Sequence, residues 1–488
     1  MKEESRLRSA GTAAIYNKAG ACVMDIVKNI IKYVNYPFEL KLLHREELLR
    51  SYQDLQKKQY RSFQENAAEQ RKLLYEIVSY AVAHVPYYRN IAHERNISLT
   101  LENIEQDLRK FPVLTKEIIK KEGKRLYSEE KIAYTIGTSG GSTGEPVRLR
   151  QDAAAFVNTD KYFLSFAGYD IGDKTLMLWG SEKDVFEGTI GLKAKISNRF
   201  IHRLRFLNSF RMDDRQMEEY VKVINTWKPK VIRAYVQSIF ELSSYIIRNK
   251  KKVYSPAGIV VSAGTLFPEW KKQIEKVFQC PVINQYGSRE VSGIAISCPH
   301  QNHLHCNMFV NYVEIVDERA ENAEPGVDGN IIITNLRNKS MPLLRYAIGD
   351  IGALSAEKSC PCGRNTHMLK YVKGRTVNVF RTRDGKRIDG EYFTHLFYGR
   401  DWVNRFQVIQ NDYEQIDIHV ELRQGQNPVN DEMDDICDKI RLVMGACSIR
   451  VIYDETLPAS PSGKFIYTVC RLKDAGKSGN AGDIENEK

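Results

Sequence analysis

Cysteine is scarce in this chain, which has nine cysteines in 488 residues, unevenly spaced. That number is too small for the disulfide scaffold of a secreted protein. The first residues also lack the compact apolar core and the cleavage site of a secretory signal peptide. Both absences favour a protein of the reducing cytoplasm.

Long apolar runs are absent as well. The most apolar stretch near the start, residues 19–36, is interrupted by Asp25, Lys28, Lys32 and Asn35. This pattern argues against a membrane-spanning helix. It leaves open an amphipathic helix that lies on a membrane surface, and thus a weak membrane-surface association.

An acidic excess is also lacking, because 72 basic residues stand against 61 acidic ones and give a net charge of +11. A basic chain suits anionic partners such as nucleotides, CoA or a membrane surface. No Arg/Gly-rich tract, zinc-finger array or basic heptad region is present, so we predict no nucleic-acid partner. With 42% hydrophobic residues, the chain can bury a large core in more than one domain.

Apolar runs alternate with helical patterns through the middle of the chain. This alternation predicts an α/β fold with sheets and helical crossovers, in which ligands gather at the carboxyl ends of the strands. Helices are predicted between residues 38 and 94, with Thr115 as the N-cap of a later one. The predicted strands are 175–179, 231–235, 258–262 and 281–284, and the predicted helices between them are 217–227, 238–249 and 268–278.

A Gly/Ser/Thr-rich stretch, residues 134–146, stands out before the strand-like Val147–Arg150. Glycines let backbone amides turn inward and hydroxyls add donors, so this stretch could wrap a phosphate group. Glu145 and Pro146 follow Gly144 where the Walker pattern requires Lys, which argues against an ordinary P-loop. A flexible turn is the alternative.

Three short motifs follow strand-like runs. Ser262-Ala-Gly264 ends one run, and Tyr286-Gly-Ser-Arg-Glu290 ends the next. A tyrosine ring can stack on a purine, and a carboxylate can hold magnesium on phosphate oxygens. Asp350, which follows a glycine, could accept hydrogen bonds from two vicinal hydroxyls. Each motif alone is also compatible with an ordinary strand end or turn.

A set of cysteines and histidines forms a second candidate site. Cys298 and His305 precede Cys360-Pro-Cys362, and His300, His303 and Cys306 are alternatives nearby. Zinc takes four nitrogen or sulfur ligands tetrahedrally, and two loops can each supply a pair. We therefore predict a zinc site at Cys298, His305, Cys360 and Cys362. Four protein ligands would make it structural and not catalytic. Unpaired cysteines that pack as small hydrophobic residues are the alternative.

The motif Thr138-Ser-Gly-Gly-Ser-Thr-Gly-Glu-Pro146 resembles the phosphate-binding signature of adenylate-forming enzymes, and the other motifs follow in the order of that superfamily. Within it, the chain most resembles phenylacetate-CoA ligase-like proteins, including the CapK-type branch. The resemblance implies that Tyr286 and Gly287 border adenine, as does the backbone of Ser262, Ala263 and Gly264. It also implies that Asp350 and Arg375 bind ribose, that Glu290 holds magnesium, and that Lys464 of Pro461-Ser-Gly-Lys464 is the catalytic lysine. The implied phosphate ligands are Thr138, Ser139, Gly140, Gly141, Ser142, Thr143 and Gly144, with Thr143 catalytic.

The resemblance also implies a domain plan. Residues 1–372 would form a large N-terminal adenylate-forming domain, with a helical lead-in at 20–110 and the zinc site within 298–362. Residues 373–472 would form a small mobile α+β domain that carries Lys464. Residues 473–488, rich in Gly, Lys, Asp and Asn, are predicted to be a disordered tail.

The implied reaction is ATP-dependent activation of a carboxylic acid through an acyl-adenylate, followed by transfer to CoA. ATP, Mg²⁺, CoA and a structural Zn²⁺ would be its cofactors. The CapK-type likeness raises an alternative, transfer to a sugar amine, a hydroxyl or a carrier protein. A non-catalytic, zinc-stabilised nucleotide-binding module is the alternative from another class. The acid and the oligomeric state stay open.

Overall fold

The computed structural model describes residues 25–138, 147–152, 159–179, 197, 201–209, 212, 214–375, 379–384, 387–397, 400–457 and 467–472. The predicted α/β class is confirmed. One eleven-stranded sheet with helices on both faces dominates the fold, and a separate four-stranded sheet lies near the C-terminal end of the described residues.

The helices are given in chain order, with a π-helical turn at Ile31–Asn35 between the first two and a 3₁₀ turn at Gly123–Leu126 after the seventh. They are α1 Ile26–Ile30, α2 Tyr36–Leu42, α3 Glu47–Lys58, α4 Phe63–His84, α5 Pro86–Glu94, α6 Ile104–Arg109, α7 Lys116–Glu122, α8 Thr159–Ser165, α9 Asp214–Trp227, α10 Val236–Arg248, α11 Pro268–Phe278, α12 Gly390–His395 and α13 Asn430–Met444.

The strands in chain order are β1 Tyr134–Thr138, β2 Arg148–Asp152, β3 Thr175–Trp179, β4 Leu204–Asn208, β5 Val231–Tyr235, β6 Gly258–Ser262, β7 Val282–Ser288, β8 Ser292–Cys298, β9 Gln301–Cys306, β10 Asn311–Val316, β11 Gly329–Asn335, β12 Tyr346–Leu354, β13 Met368–Arg375, β14 Val379–Arg381, β15 Arg387–Asp389, β16 Val403–Asp412, β17 Gln415–Leu422, β18 Ser448–Asp454 and β19 Thr468–Cys470.

The large sheet has two halves that meet at β7. Its order is β10-β11-β12-β13-β9-β8-β7-β6-β5-β3-β4. Strands β4, β3, β5, β6 and β7 are parallel, because helices α9, α10 and α11 cross back between them. From β7 onward neighbouring strands are antiparallel. The joint at β7 places the carboxyl ends of the parallel strands beside the antiparallel half.

Local sequence explains where several helices begin. Ser62 and Glu65 form a reciprocal capping box at the start of α4. The Thr115 side chain accepts a hydrogen bond from the Ile118 amide at 3.4 Å, so the predicted N-cap of α7 is confirmed. Pro86 starts α5 directly after α4 ends, because proline suits the first helical turn and disfavours a helical predecessor.

Apolar side chains alternate across the parallel strands and so bury both faces. In β5, Ile232 and Ala234 pack with α9, α10 and α11 on one face. Val231 packs on the other face with aromatic residues of α8. The aromatic stretch around Tyr162 and Phe163 is therefore core packing.

The C-terminal unit has its own core. Strands β18, β17, β16 and β19 form its sheet, and α13 packs its apolar face against them. The domain boundary predicted after residue 372 lies within β13, which belongs to the large sheet and runs to Arg375. Among the residues that the structure describes, no helix has the length and apolarity to cross a membrane.

Candidate active site and metal centre

The Gly/Ser/Thr-rich stretch begins in strand β1 and is followed by strand β2, which pairs with it. Strands β1 and β2 pair antiparallel, and the last pair is Thr138 with Arg148. The connecting residues Ser139, Gly140, Gly141, Ser142, Thr143 and Gly144 lie outside the described residues, so their predicted phosphate contacts stay a prediction. The hairpin nevertheless fixes where both ends of this stretch emerge.

The tip of the β7–β8 turn carries Glu290, whose side chain is buried. Glycine is required at position 287, because a Cβ there would lie 2.8 Å from the Ser292 carbonyl oxygen of β8. This close approach of the two strands explains the Tyr-Gly pair in the motif.

Tyr286 and Asp350 come together although 64 residues separate them. The Tyr286 hydroxyl donates a hydrogen bond to Asp350 Oδ2 at 2.7 Å. Asp350 lies in β12, directly opposite Arg375 of β13 in the strand register. Three residues that were predicted to bind one nucleoside thus belong to one neighbourhood of the large sheet.

The turn after β6 contains the predicted adenine border. Ala263 adopts a positive φ of 65°, a conformation that is uncommon for a residue with a Cβ. Its neighbours Ser262 and Gly264 continue the turn, and a Cβ on Gly264 would contact Val236 at the start of α10. A backbone turn at the carboxyl end of a parallel strand suits a flat ligand edge.

The hairpin meets the β7–β8 turn through residues that the motif analysis missed. Gln151 Nε2 of β2 donates to the Arg289 carbonyl at 2.5 Å. Asn338 Nδ2 donates to the Arg150 carbonyl at 2.8 Å, and Asn338 Oδ1 accepts from the Asp152 amide at 3.0 Å. A small cavity is lined by Gln151, Glu290 and Asn338. Glu290 therefore faces the base of the hairpin.

Arg345, at the start of the Asp350 motif, is a third residue to which the sequence motifs gave no role. It is buried, and its guanidinium donates to the carbonyls of Arg109 and Phe111 at 3.0 and 3.1 Å. Glu314 lies 3.4 Å from its Nε. Burial raises the pKa of Glu314, and the charge of Arg345 opposes that rise. Arg345 thus ties the chain before the hairpin to strand β12. Its only sequence signal was its position within the motif.

Two aromatic residues lie at the carboxyl ends of neighbouring parallel strands. The rings of Trp179 in β3 and Tyr235 in β5 are 4.0 Å apart between centroids. The Arg233 guanidinium lies 5.1 Å from the Trp179 ring centroid. We call Trp179 and Tyr235 the aromatic wall. It lies at the same edge of the sheet as the turn at Ala263, because both are at the carboxyl ends of parallel strands.

The C-terminal unit contacts the large domain near the predicted lysine motif. Lys464 lies outside the described residues. Tyr467, three positions later, packs edge-on against Trp270 of α11, with 6.1 Å between ring centroids. Arg405 of β16 lies 3.7 Å from Glu241 of α10. Burial raises the pKa of Glu241, which Arg405 counteracts.

The predicted zinc ligands converge. The side-chain donor atoms of Cys298, His305, Cys360 and Cys362 all lie within 4.8 Å of one another. Cys298 Sγ is 3.5 Å from Cys360 Sγ, and Cys362 Sγ is 3.4 Å from His305 Nε2. Ligand atoms of a tetrahedral zinc site with Zn–S bonds of about 2.3 Å lie about 3.8 Å apart. The spacing therefore fits a small tetrahedral ion.

The surroundings of His305 select its ligand atom. Its Nδ1 lies 3.0 Å from Thr366 Oγ1. A proton on Nδ1 that is donated to this hydroxyl leaves the Nε2 lone pair toward the three sulfurs. His303 instead contacts Ser355 and Glu357, and Cys306 packs in a separate apolar cluster. Neither of these alternatives joins the group.

Neighbouring thiols of this group shift one another's pKa. A hydrogen bond with Cys298 lowers the pKa of Cys362. The same hydrogen bond, together with burial, raises the pKa of Cys298. A divalent metal would stabilise all three sulfurs as thiolates.

Comparisons with known proteins find a family model and several relatives that are similar to this chain. The family model described as the CapK C-terminal domain matches residues 380–470. The chain is 24% identical to Protein CapK of Staphylococcus aureus over 412 residues, which cover 82% of this chain and 88% of that protein. It is 26% identical over 344 residues to a phenylacetate-coenzyme A ligase of Thermus thermophilus, covering 65% and 73%.

A solved structure is similar over most of the chain. It is that of 2-hydroxyisobutyryl-CoA ligase in the postadenylation state with an acyl-AMP, at a TM-score of 0.64 and 16% identity, covering 82% of this chain and 88% of that one. This likeness confirms the fold. The sequence relatives confirm the resemblance to the adenylate-forming branch that contains phenylacetate-CoA ligase-like and CapK-like proteins.

Proposed function

We propose that this member of the phenylacetate-CoA ligase-like and CapK-like branch activates a carboxylic acid with ATP through an acyl-adenylate. One observation carries the proposal, the contact between Tyr286 and Asp350 at 2.7 Å. That contact joins two predicted nucleoside-binding residues from distant parts of the chain. The buried Glu290 and the base of the Gly/Ser/Thr-rich hairpin lie at the same turn.

The nucleotide would lie across the carboxyl ends of β6 and β7. Adenine would rest between Tyr286 and the turn of Ser262, Ala263 and Gly264, while Asp350 accepts hydrogen bonds from the ribose hydroxyls. In the free protein the Tyr286 hydroxyl already holds Asp350 Oδ2. That hydrogen bond fixes the carboxylate before ribose binds.

In the first half-reaction an oxygen of the substrate carboxylate attacks the α-phosphorus of ATP, and the bond to pyrophosphate breaks. Both reactants are anions, so the site must supply donors and positive charge where negative charge accumulates. Residues 138–144 would donate backbone and hydroxyl hydrogen bonds to the phosphates, and Lys464 would meet the bridging oxygens. Glu290 would hold Mg²⁺, which neutralises phosphate charge when bound.

In the second half-reaction the thiol of CoA would attack the acyl carbon and release AMP. The similarity to phenylacetate-coenzyme A ligase and to 2-hydroxyisobutyryl-CoA ligase favours CoA as the acceptor. The match to the CapK C-terminal domain favours a second candidate, transfer to a sugar amine, a hydroxyl or a carrier protein. The aromatic wall of Trp179 and Tyr235 suits an aryl or other apolar acid.

The group of Cys298, His305, Cys360 and Cys362 would hold a structural Zn²⁺. Four protein donors fill a tetrahedral ion, so no position is left for substrate. Three of the four side chains are buried. The ion would join the β8–β9 hairpin to the loop that precedes β13.

Exchange of labelled pyrophosphate into ATP tests the proposal. A panel of aryl, aliphatic and hydroxy acids should contain at least one acid that raises the exchange far above the rate without acid. Acid-dependent exchange with no product release until CoA is added would support the ligase. Acid-dependent exchange with no response to CoA would favour the other acceptors, and ATP binding without exchange for any acid would favour a non-catalytic module.

A further inference from the structure

The first helical segment of the described chain presents an apolar face to the outside. Helices α1 and α2 and the π-helical turn between them form one segment over residues 26–42. Six apolar side chains, between 47% and 71% exposed, follow one side of it at helical spacing. This outer face consists of Ile26, Ile30, Tyr33, Val34, Phe38 and Leu42.

Two lysines of the same segment point the other way, into the protein. Lys28 pairs with Asp173 at 2.8 Å, and Lys32 pairs with Asp170 at 2.6 Å. Asp25, just before the segment, pairs with Arg203 at 2.8 Å.

Apolar anchors complete this inner side. Ile31, Tyr36 and Leu40 are buried in the same cluster as the aromatic residues of α8. The segment is therefore clamped to the body of the protein by its charges and by a second apolar row, with its outer face turned outward.

This polarity is the reverse of what a water-facing helix requires. A helix on a soluble surface buries one apolar stripe and turns its charges to water. Here the charges of Lys28 and Lys32 form ion pairs with the body of the protein, and an apolar row remains outside. Contiguous exposed apolar surface of this kind marks a binding face. An aromatic pair such as Tyr33 and Phe38 is suited to the boundary between water and hydrocarbon.

Charge decides between the candidate partners. The cations Lys41 and Arg45 are exposed at the C-terminal end of the outer face. The whole chain carries +11. A second copy of the same chain would bring an equal positive charge, which opposes association, whereas an anionic lipid surface attracts both the local cations and the net charge.

We propose that residues 26–45 form an in-plane membrane contact that seats the protein on an anionic bilayer surface. The outer face enters the boundary between headgroups and acyl chains, while Lys41 and Arg45 meet lipid phosphates. No helix crosses the bilayer in this arrangement, which agrees with the finding for the described residues. The proposal does not depend on the acid, the acceptor or the adenylation chemistry.

Vesicle flotation of the full chain tests the contact. The protein should float with phosphatidylcholine vesicles that contain phosphatidylglycerol, and less with pure phosphatidylcholine or at raised salt. The triple variant Tyr33→Ser, Phe38→Ser and Leu42→Ser should bind vesicles about tenfold or more weakly. The pair Lys41→Ala and Arg45→Ala should lose a few-fold in affinity and much of the salt dependence.

A matched triple variant controls for lost apolar surface. Ile247→Ser, Val429→Ser and Leu442→Ser remove three exposed apolar side chains elsewhere, and this variant should float like the unmodified protein. Melting temperature and pyrophosphate exchange should be unchanged in both triple variants, which separates vesicle binding from folding and from the proposed activity.

Four outcomes would overturn the proposal. The unmodified chain could fail to float, or the control triple could lose as much binding as the first. A dimer that the first triple variant dissolves would make a second copy the partner. A chain that floats only after residues 1–24 are deleted would show that its own N-terminal segment covers the face.

Discussion

The two ends of strand β8 have different surroundings. Before its first residue lies Glu290, next to the hairpin of the Gly/Ser/Thr-rich stretch, and its last residue is Cys298 of the Cys/His group. At the first end, the Tyr286 hydroxyl holds Asp350 by a hydrogen bond, and we propose that this neighbourhood binds a nucleotide. At the other end, the donor atoms of four side chains lie within 4.8 Å of one another.

This difference predicts separable effects. A site that keeps its polar groups for a substrate should lose activity and keep stability when one group changes. A site whose donors are consumed by a structural ion should lose stability, and activity only as a result. Four predictions test this separation, and they begin with the variant that should have the largest effect on free energy.

Removal of a zinc ligand should have the largest effect. Elemental analysis should find zinc in the purified unmodified protein and none in Cys362→Ser. Structural zinc sites bind with about 10 kcal/mol or more, part of which is folding free energy. Thermal unfolding should therefore begin more than about 5 °C lower. Cys447→Ser, at a half-buried cysteine outside the group, should keep the metal. If the unmodified protein melts at the same temperature with and without its metal, the proposed structural zinc site is refuted.

Loss of the proposed catalytic lysine comes next. Lys464→Ala should slow pyrophosphate exchange by on the order of 10²-fold or more, since it removes charge from the transition state. Thioester formation from supplied acyl-adenylate should stay largely intact, as should the melting temperature. Lys439→Ala on α13 is the control, and it should leave both steps unchanged. An equal loss in both half-reactions would contradict the assignment of Lys464 to adenylation.

Loss of the ribose acceptor should be smaller. Asp350→Asn replaces a charged acceptor, and hydrogen bonds to charged groups contribute about 1.5–3 kcal/mol. We expect the KM for ATP to rise by about tenfold or more. The preference for ATP over 2′,3′-dideoxy-ATP should disappear in the variant. If that preference survives in full, Asp350 does not read the ribose.

The smallest effect should come from the hydroxyl that positions this acceptor. Tyr286→Phe keeps the ring for adenine and removes one hydrogen bond, worth about 1 kcal/mol. The KM for ATP should rise about fivefold. In the double variant with Asp350→Asn, the two effects should not add, because the hydroxyl acts through the carboxylate. Strict additivity would show that the 2.7 Å contact has no role in nucleotide binding.

Much of the fold followed from local sequence. Strands 175–179, 231–235 and 258–262 were predicted with the bounds that the structure has, because buried β-branched runs lie between clear helical patterns. The joint at β7 was not predicted. Strand direction depends on which distant strands pair, as β9 does with β13, and hydrophobic period carries no information on that pairing.

Candidate site residues could be named where a motif stays local. The four Cys/His residues were chosen because their side chains are zinc ligands, whereas Tyr286 and Asp350 received their roles from the family resemblance of short motifs. A hydrogen bond brings the latter two together, and their roles stay predictions. Gln151, Asn338 and Arg345 were missed, since they act through carbonyl and amide groups of the backbone. Such contacts need the folded chain, and any of the polar residues could have made them. The sequence also did not predict that Tyr33 and Phe38 point outward, because the helical segment of residues 26–42 has apolar residues on two sides.

Acid-dependent pyrophosphate exchange per folded molecule, compared between Glu290→Gln and Cys362→Ser, tests the account most directly. We predict that Glu290→Gln keeps the melting temperature and loses most of the exchange, since its carboxylate would hold the ion on the phosphates. Cys362→Ser should melt early and, well below its melting temperature, exchange at nearly the unmodified rate. Normal exchange in Glu290→Gln, or a folded Cys362→Ser protein without exchange, would contradict the division of labour between the two ends of β8.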